Sequence, residues 1–145
     1  MKMRGDNLTE IINAKEPRGK NNLGEPYRVL MVDDSSVVRR LGAQMLRSEM
    51  FDICGEAEDG YQAFQMYKEL LPDVVTMDVN MPVMTGIESL RQILAHDPNA
   101  KVVMVTSEGH RDMVMEAVKL GAKGYVVKPF RKDPFCEQLK LAIES

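Results

Sequence analysis

Five short apolar segments, each followed by a stretch of helical apolar spacing, restrict what this chain can fold into more than any other feature. Residues 27–33 (YRVLMVD), 53–57, 73–77 (DVVTM), 101–106 (KVVMVT) and 125–127 read as strands. Residues 36–49, 60–71, 87–95, 111–120 and 134–144 read as helices, with Val37, Leu41, Met45 and Leu46 marking one apolar face of the first. Pro72, Pro98 and Gly121 supply stops, and Asp133 before Pro134 reads as an N-cap and first helical position. Strict strand–helix alternation implies parallel strands joined by right-handed crossover helices. The first, third and fourth strands are almost continuously apolar, as strands covered on both faces must be. The expected fold class is therefore α/β, a doubly wound sandwich around a five-stranded parallel sheet.

Residues 1–26 differ from the rest. They hold four of the six asparagines, three glycines and two prolines, and their apolar residues form no sustained pattern. This segment is expected to be a flexible N-terminal extension, with a short helix possible near residues 7–14 under an Asn7 cap. Residues 27–145 form the expected domain, and a 145-residue chain with 44% hydrophobic residues has enough apolar material for one core. The net charge of −3 argues against a nucleic-acid partner bound through broad positive charge. No apolar run approaches ~18 residues, and no apolar stretch follows the charged start, so neither a membrane span nor a secretory signal is expected. Cys54 and Cys136 form no CxxC pair and read as reduced thiols of a cytoplasmic protein. The twelve methionines, spread along the chain, read as adaptable core filler.

The residues that end the strands carry the chemistry. The first strand ends in Asp33-Asp34, the third in Asp78 and the fourth in Thr106-Ser107, and the fifth is followed by Lys128-Pro129. In an open doubly wound sheet, ligands bind outside the carboxyl ends of the strands, where all of these residues fall. If the first and third strands are neighbours, Asp33, Asp34 and Asp78 converge, and their mutual repulsion calls for a cation. A hard divalent ion with oxygen ligands answers that need, and Mg²⁺ suits a site with few carboxylates and retained waters. Lys128 adds an ammonium, Thr106 a hydroxyl and Asp78 a nucleophilic carboxylate. Such a set fits phosphoryl transfer, in which catalysis is mostly positioning and charge neutralisation.

The strings Val32-Asp33-Asp34-Ser35, Pro72-Asp73-Val74-Val75-Thr76-Met77-Asp78-Val79-Asn80-Met81-Pro82-Val83-Met84-Thr85-Gly86, Val105-Thr106-Ser107-Glu108 and Lys128-Pro129-Phe130 resemble the receiver domain of bacterial response regulators. The resemblance spans about residues 27–145. It implies a flavodoxin-like (βα)5 fold with strand order 2-1-3-4-5. It implies that Asp78 accepts a phosphoryl group from a histidine kinase. Asp34, Asp78 and the backbone carbonyl of Asn80 would ligate Mg²⁺ directly, and Asp33 through water. Lys128 would contact the phosphoryl oxygens, Thr106 would move toward them, and Tyr125 would rotate into the space that Thr106 vacates. The Lys128-Pro129 bond is usually cis in the family. Asn80 and Glu108 flank the approach of water and resemble the pair in the enteric chemotaxis regulator, which implies fast self-dephosphorylation.

The chain stops at Ser145, directly after the fifth helix, so output is expected through protein contact on the face of helix 4, strand 5 and helix 5. Among single-domain receivers the resemblance is to chemotaxis regulators of the CheY kind. It implies a histidine kinase and a flagellar motor switch protein as partners, with a phosphatase possible, and a monomer. A phosphorelay intermediate and a stress-type receiver that binds another regulator are the alternatives. A Mg²⁺-dependent phosphohydrolase is remote, because the position two past Asp78 holds Asn80 where such enzymes need a second acid. The chain is thus expected to act on itself rather than as an enzyme. His96 and His110 have no metal-binding neighbours in sequence and read as surface residues. Glu56, Glu58 and Asp59 read as a solvated acidic loop.

Overall fold

The computed structural model describes residues 16–145. Strands β1 (Arg28–Val32), β2 (Asp52–Ala57), β3 (Val74–Asp78), β4 (Val102–Thr106) and β5 (Gly124–Val127) alternate with helices α1 (Ser36–Ser48), α2 (Gly60–Leu70), α3 (Gly86–His96), α4 (Arg111–Leu120) and α5 (Lys132–Glu144). The strands form one parallel sheet in the order β2-β1-β3-β4-β5. This is the flavodoxin-like arrangement, and its winding reverses between β1 and β3, where a ligand crevice is expected.

Side chains alternate between two cores with the two-residue period of a strand. On β1, Leu30 and Val32 face the α2, α3 and α4 side with Tyr67, Leu90 and Ile93. Val29 and Met31 face the α1 and α5 side with Leu46, Phe135 and Leu139. On β4 the same division holds, with Val102 and Met104 on the first side and Val103 and Val105 on the second. Both faces are covered, which is why β1, β3 and β4 need apolar residues at nearly every position. Met31, Met77 and Met104 are buried strand residues, as core filler should be, whereas Met115 on α4 is half exposed.

Polar residues at the helix starts set where each helix begins. The hydroxyl of Ser35 accepts from Val38 N, the carboxylate of Asp59 from Gln62 N, and the hydroxyl of Thr85 from Glu88 N. The Asp59 cap removes one member of the expected solvated acidic run. α5 begins differently from the sequence reading. Arg131 holds its N-cap position without a side-chain bond, and Asp133 lies inside the first turn. Asp133 instead accepts from Arg18 Nη2 at 2.6 Å.

That contact belongs to a segment whose sequence reads as flexible. Residues 16–26 are docked on the domain. Arg18 Nε donates to Glu49 at 3.0 Å, so one guanidinium joins the end of α1 to the first turn of α5. Gly19 N donates to Glu49 O, and Tyr27 N to Gly19 O, each at 2.7 Å. A Cβ on Gly19 would overlap the Phe51 N and Glu49 O atoms, so only glycine allows this approach. The composition that suggested flexibility is here the composition of a tight strap, with a turn at residues 21–25 closed by the Asn21 side chain. The helix expected near residues 7–14 lies outside the described residues. No helix among the described residues is long and apolar enough to cross a membrane.

Between α2 and the end of α3, the buried Tyr67 hydroxyl donates to Asp97 at 2.7 Å. This bond, joined by Asn99 N, holds the Asp97 carboxyl below its usual range. A carboxyl with a depressed folded-state pKa stabilises at neutral pH, and the contribution disappears as pH falls through that lowered value. Tyr67→Phe is therefore expected to cost about 1 kcal/mol at pH 7, read from urea unfolding midpoints. The gap between the two proteins should narrow at acid pH. A gap that stayed constant with pH would assign the loss to packing alone.

Candidate phosphoacceptor and metal site

The parallel register carries each strand's functional residue to a common edge. Val32 pairs with Met77, so Asp33 and Asp78 follow side by side. Asp78 pairs with Val105, and Thr106 with Val127, which places Thr106 and Lys128 one step further along the same edge. These four residues lie far apart in the sequence, and the sheet order brings them together.

Carboxylate oxygens of Asp33, Asp34 and Asp78 all lie within 4.8 Å of one another. Lys128 Nζ sits 2.8 Å from Asp33 Oδ2 and 3.3 Å from Asp78 Oδ2. Asp33 and Asp78 are buried, while Asp34 is exposed. Burial first, and the Asp33 charge second, push the Asp78 carboxyl above its usual range, with Lys128 offsetting part of this. Burial opposes the charge on Lys128, but Asp33 and Asp78 outweigh it and raise the ammonium. This is the expected electrostatics of two carboxylates sharing one nearby cation.

Asp33 is held at all four of its polar atoms. Its N–H donates to Ala57 O, and its carbonyl accepts from Arg39 Nη1 at 2.6 Å. Oδ1 accepts from Ser35 N at 2.9 Å, and Oδ2 meets Lys128. A side chain so engaged has little capacity left for direct ligation, whereas Asp34 projects into the cleft. The cleft has a volume of about 170 Å³ and is lined by Asp34, Asp78, Val79, Asn80, Thr106, Ser107, His110 and Lys128. Asp34 and Asp78 at an open polar space, with the engaged Asp33 behind them, fit Mg²⁺, which takes few protein carboxylates and keeps waters.

Asn80 N donates to Asp78 Oδ1 at 3.2 Å, so the loop after β3 folds back over the carboxylate. Gly86 makes that fold possible, since its N–H reaches Val79 O at 2.9 Å and a Cβ there would overlap the Asp78 carbonyl. Within the same loop Val83 has φ +69°. A β-branched residue in that region carries strain of ~1–3 kcal/mol, and such strain concentrates at functional sites. Thr106 is buried, and its hydroxyl donates to Ser107 O at 3.0 Å rather than to Asp78. Tyr125 is half exposed on β5. The Lys128-Pro129 bond is cis, as the resemblance implied.

Two residues have a place near the site that the sequence did not reveal. His110, read as a surface residue without metal-binding neighbours in sequence, is part-exposed and lines the cleft. Arg39 carried no signal of its own. It reaches both Asp33 O and Glu56, and the Glu56 partner lies on a different strand, where no spacing rule would point to it. His96 packs edge-on against Phe64, away from the cleft.

The family model for the response regulator receiver domain matches residues 29–140. The chain is 43% identical to a chemotaxis protein CheY of Listeria monocytogenes over 79% of its own length and 97% of that protein. It is also 43% identical to a chemotaxis protein CheY of Treponema pallidum, covering 88% of this chain and 90% of the relative. Among solved structures it resembles a chain of the CheX-CheY-BeF3-Mg²⁺ complex from Borrelia burgdorferi. That likeness has a TM-score of 0.82 and 37% identity, and it covers 86% of this chain and 96% of the other.

A raised Asp78 pKa means that the folded chain binds this proton more tightly than the unfolded one. Stability contributed by this group is then greatest below the ordinary aspartate range and falls as pH rises through the raised value. Asp78→Asn removes the charge. The variant is expected to be more stable than the parent at pH 7 in Mg²⁺-free buffer, by on the order of 1 kcal/mol. Urea titrations across pH should show the advantage vanish below pH of about 4, where the parent carboxyl is protonated. A variant of equal stability at pH 7 would contradict the electrostatics described above.

Proposed function

The chain belongs to the response regulator receiver family, as a receiver of the CheY type, and from that premise we propose that it takes a phosphoryl group onto Asp78 and signals by protein contact. The observation that carries this reading is the meeting of three carboxylates and the Lys128 ammonium at one edge of the sheet. In the proposed step an Asp78 carboxylate oxygen forms a bond to phosphorus. The P–N bond of a kinase phosphohistidine, protonated at its other ring nitrogen, breaks; its electron pair stays on the ring nitrogen, so the imidazole leaves neutral. Bound Mg²⁺, held by Asp34, Asp78 and the Asn80 carbonyl, would supply charge neutralisation for the oxygens in flight. Asp33 would act through a water while keeping Lys128 in place. Lys128 is already poised beside Asp78 to receive a phosphoryl oxygen.

The same geometry supports a two-state switch. A phosphoryl group brings about −1.5 to −2 charge and three acceptor oxygens. Thr106 then has an acceptor stronger than the Ser107 carbonyl that it now uses. Its movement frees space toward which the half-exposed Tyr125 can turn. Tyr125, Val127, Met115 and Val118 expose apolar surface around a groove between β5 and α4, a fitting place for a partner to read the state. The relatives, chemotaxis proteins CheY, favour a role in chemotaxis, and the receiver resemblance implies a histidine kinase upstream and a flagellar motor switch protein or another regulatory protein downstream. Asn80, which lines the cleft, and Glu108, one position past the cleft residue Ser107, favour a short-lived phosphoryl group. The cycle consists of self-catalysed phosphorylation and dephosphorylation, not of turnover on an external substrate.

Incubation with acetyl phosphate and Mg²⁺ should give a phosphoryl adduct by intact mass on the parent chain and none on Asp78→Asn. The adduct should decay on removal of the donor. An adduct that persisted for many hours would oppose the assignment to Asn80 and Glu108, and its absence from the parent would remove the phosphoacceptor reading. Recovery of the label on a histidine phosphotransfer domain, with none of the phosphorylated chain bound by a motor switch protein, would favour a relay instead.

A further inference from the structure

We propose that Arg39 is the positioning residue of the metal site: it fixes the Asp33–Asp34 corner in the geometry that accepts a divalent cation. The inference rests on the phosphoacceptor reading above and adds a residue to it. Arg39 lies one turn into α1, and its side chain is only 14% exposed. Nη1 donates to the Asp33 carbonyl at 2.6 Å, and Nε donates to Glu56 Oε1 at 3.0 Å. Glu56 lies on β2, so one planar guanidinium spans the sheet edge strand and the loop that leaves β1. A fork of this kind holds both partners in one orientation, which a single flexible ammonium cannot do.

What it holds decides the site. The peptide plane whose oxygen Arg39 grips is the one that joins Asp33 to Asp34. The direction of the exposed Asp34 side chain is therefore set by a contact that never touches Asp34. On the other side of Asp33, Ser35 N and Lys128 already fix the carboxylate. With Arg39 absent, the Asp33 carbonyl loses its side-chain donor, and the peptide into Asp34 is held only through its neighbours, by the Asp33 N–Ala57 O bond before it and the Ser35 N–Asp33 Oδ1 bond after it. Groups that orient metal ligands in this way typically matter by 10–100-fold in metal affinity.

Charge and positioning predict opposite outcomes, which makes the test sharp. Arg39 is a positive charge that grips the Asp33 backbone at the edge of the acidic site, so on electrostatics alone its removal should not weaken Mg²⁺ binding and should if anything tighten it. Positioning predicts that removal weakens it. Isothermal titration of the full chain with Mg²⁺ alone, without a phosphoryl donor, reads the difference directly. Arg39→Met is expected to weaken Mg²⁺ binding by about tenfold. Arg39→Lys keeps the charge and loses the fork, and it should weaken binding severalfold. Far-ultraviolet circular dichroism and urea midpoints report whether each variant is folded. Affinity equal to or tighter than that of the parent in folded Arg39→Met would overturn the proposal. If Arg39→Met does not fold, unchanged affinity in Arg39→Lys would overturn it as well. A parent chain that bound no Mg²⁺ would overturn the metal-site reading itself and this inference with it, an outcome that the parent titration alone identifies.

Discussion

One ammonium makes this edge of the sheet possible. Two buried carboxylates, Asp33 and Asp78, stand side by side because the register of β1 and β3 puts them there. Without a cation between them, one would have to be protonated or the strands would have to part. Lys128 comes from the far edge of the sheet, after β5, three strands over from the β1 strand that leads to Asp33, and reaches both. Strand order, register and the turn after β5 all serve that meeting. The compensation is partial, for Asp78 still titrates above its usual range. A carboxylate left under-compensated in the resting chain is one that gains from a divalent ion and a transferred phosphoryl group, and this links the stability of the fold to the chemistry proposed for it.

Much of this was legible in the sequence, for physical reasons. Strands buried on both faces need continuous apolar runs, so β1, β3 and β4 could hardly read as anything else. The polar residues that interrupt those runs stand out because burial would otherwise exclude them, and Asp33, Asp78 and Thr106 were found in that way. Periodicity alone did not supply the strand order. That came with the family resemblance, and the sheet has that order.

The features that sequence did not reveal are contacts between side chains and distant partners. Arg39 looks like any helix-surface arginine until Glu56 and the Asp33 carbonyl are placed beside it. Asp133 has the position and the residue type of a helix cap, and it even precedes a proline. It is drawn away because Arg18 offers a stronger bond than the helix amides. His110 reads as a surface residue because the loop that turns it into the cleft has no periodic signature. In each case local preference is outweighed by an ion pair or a loop geometry that depends on the rest of the fold.

The strap over residues 16–26 has a consequence for how the molecule comes into being. Arg18 and Asp133 are separated by 115 positions. During synthesis the strap emerges early, yet one of the two acids that its arginine joins is made only when α5 begins. Until then Arg18 can hold Glu49 alone. Full closure of the strap is thus a non-local event that must wait for α5. A strap made near the start of synthesis is fastened by the last helix of the fold, and a nascent chain halted before Asp133 would carry that strap only half tied.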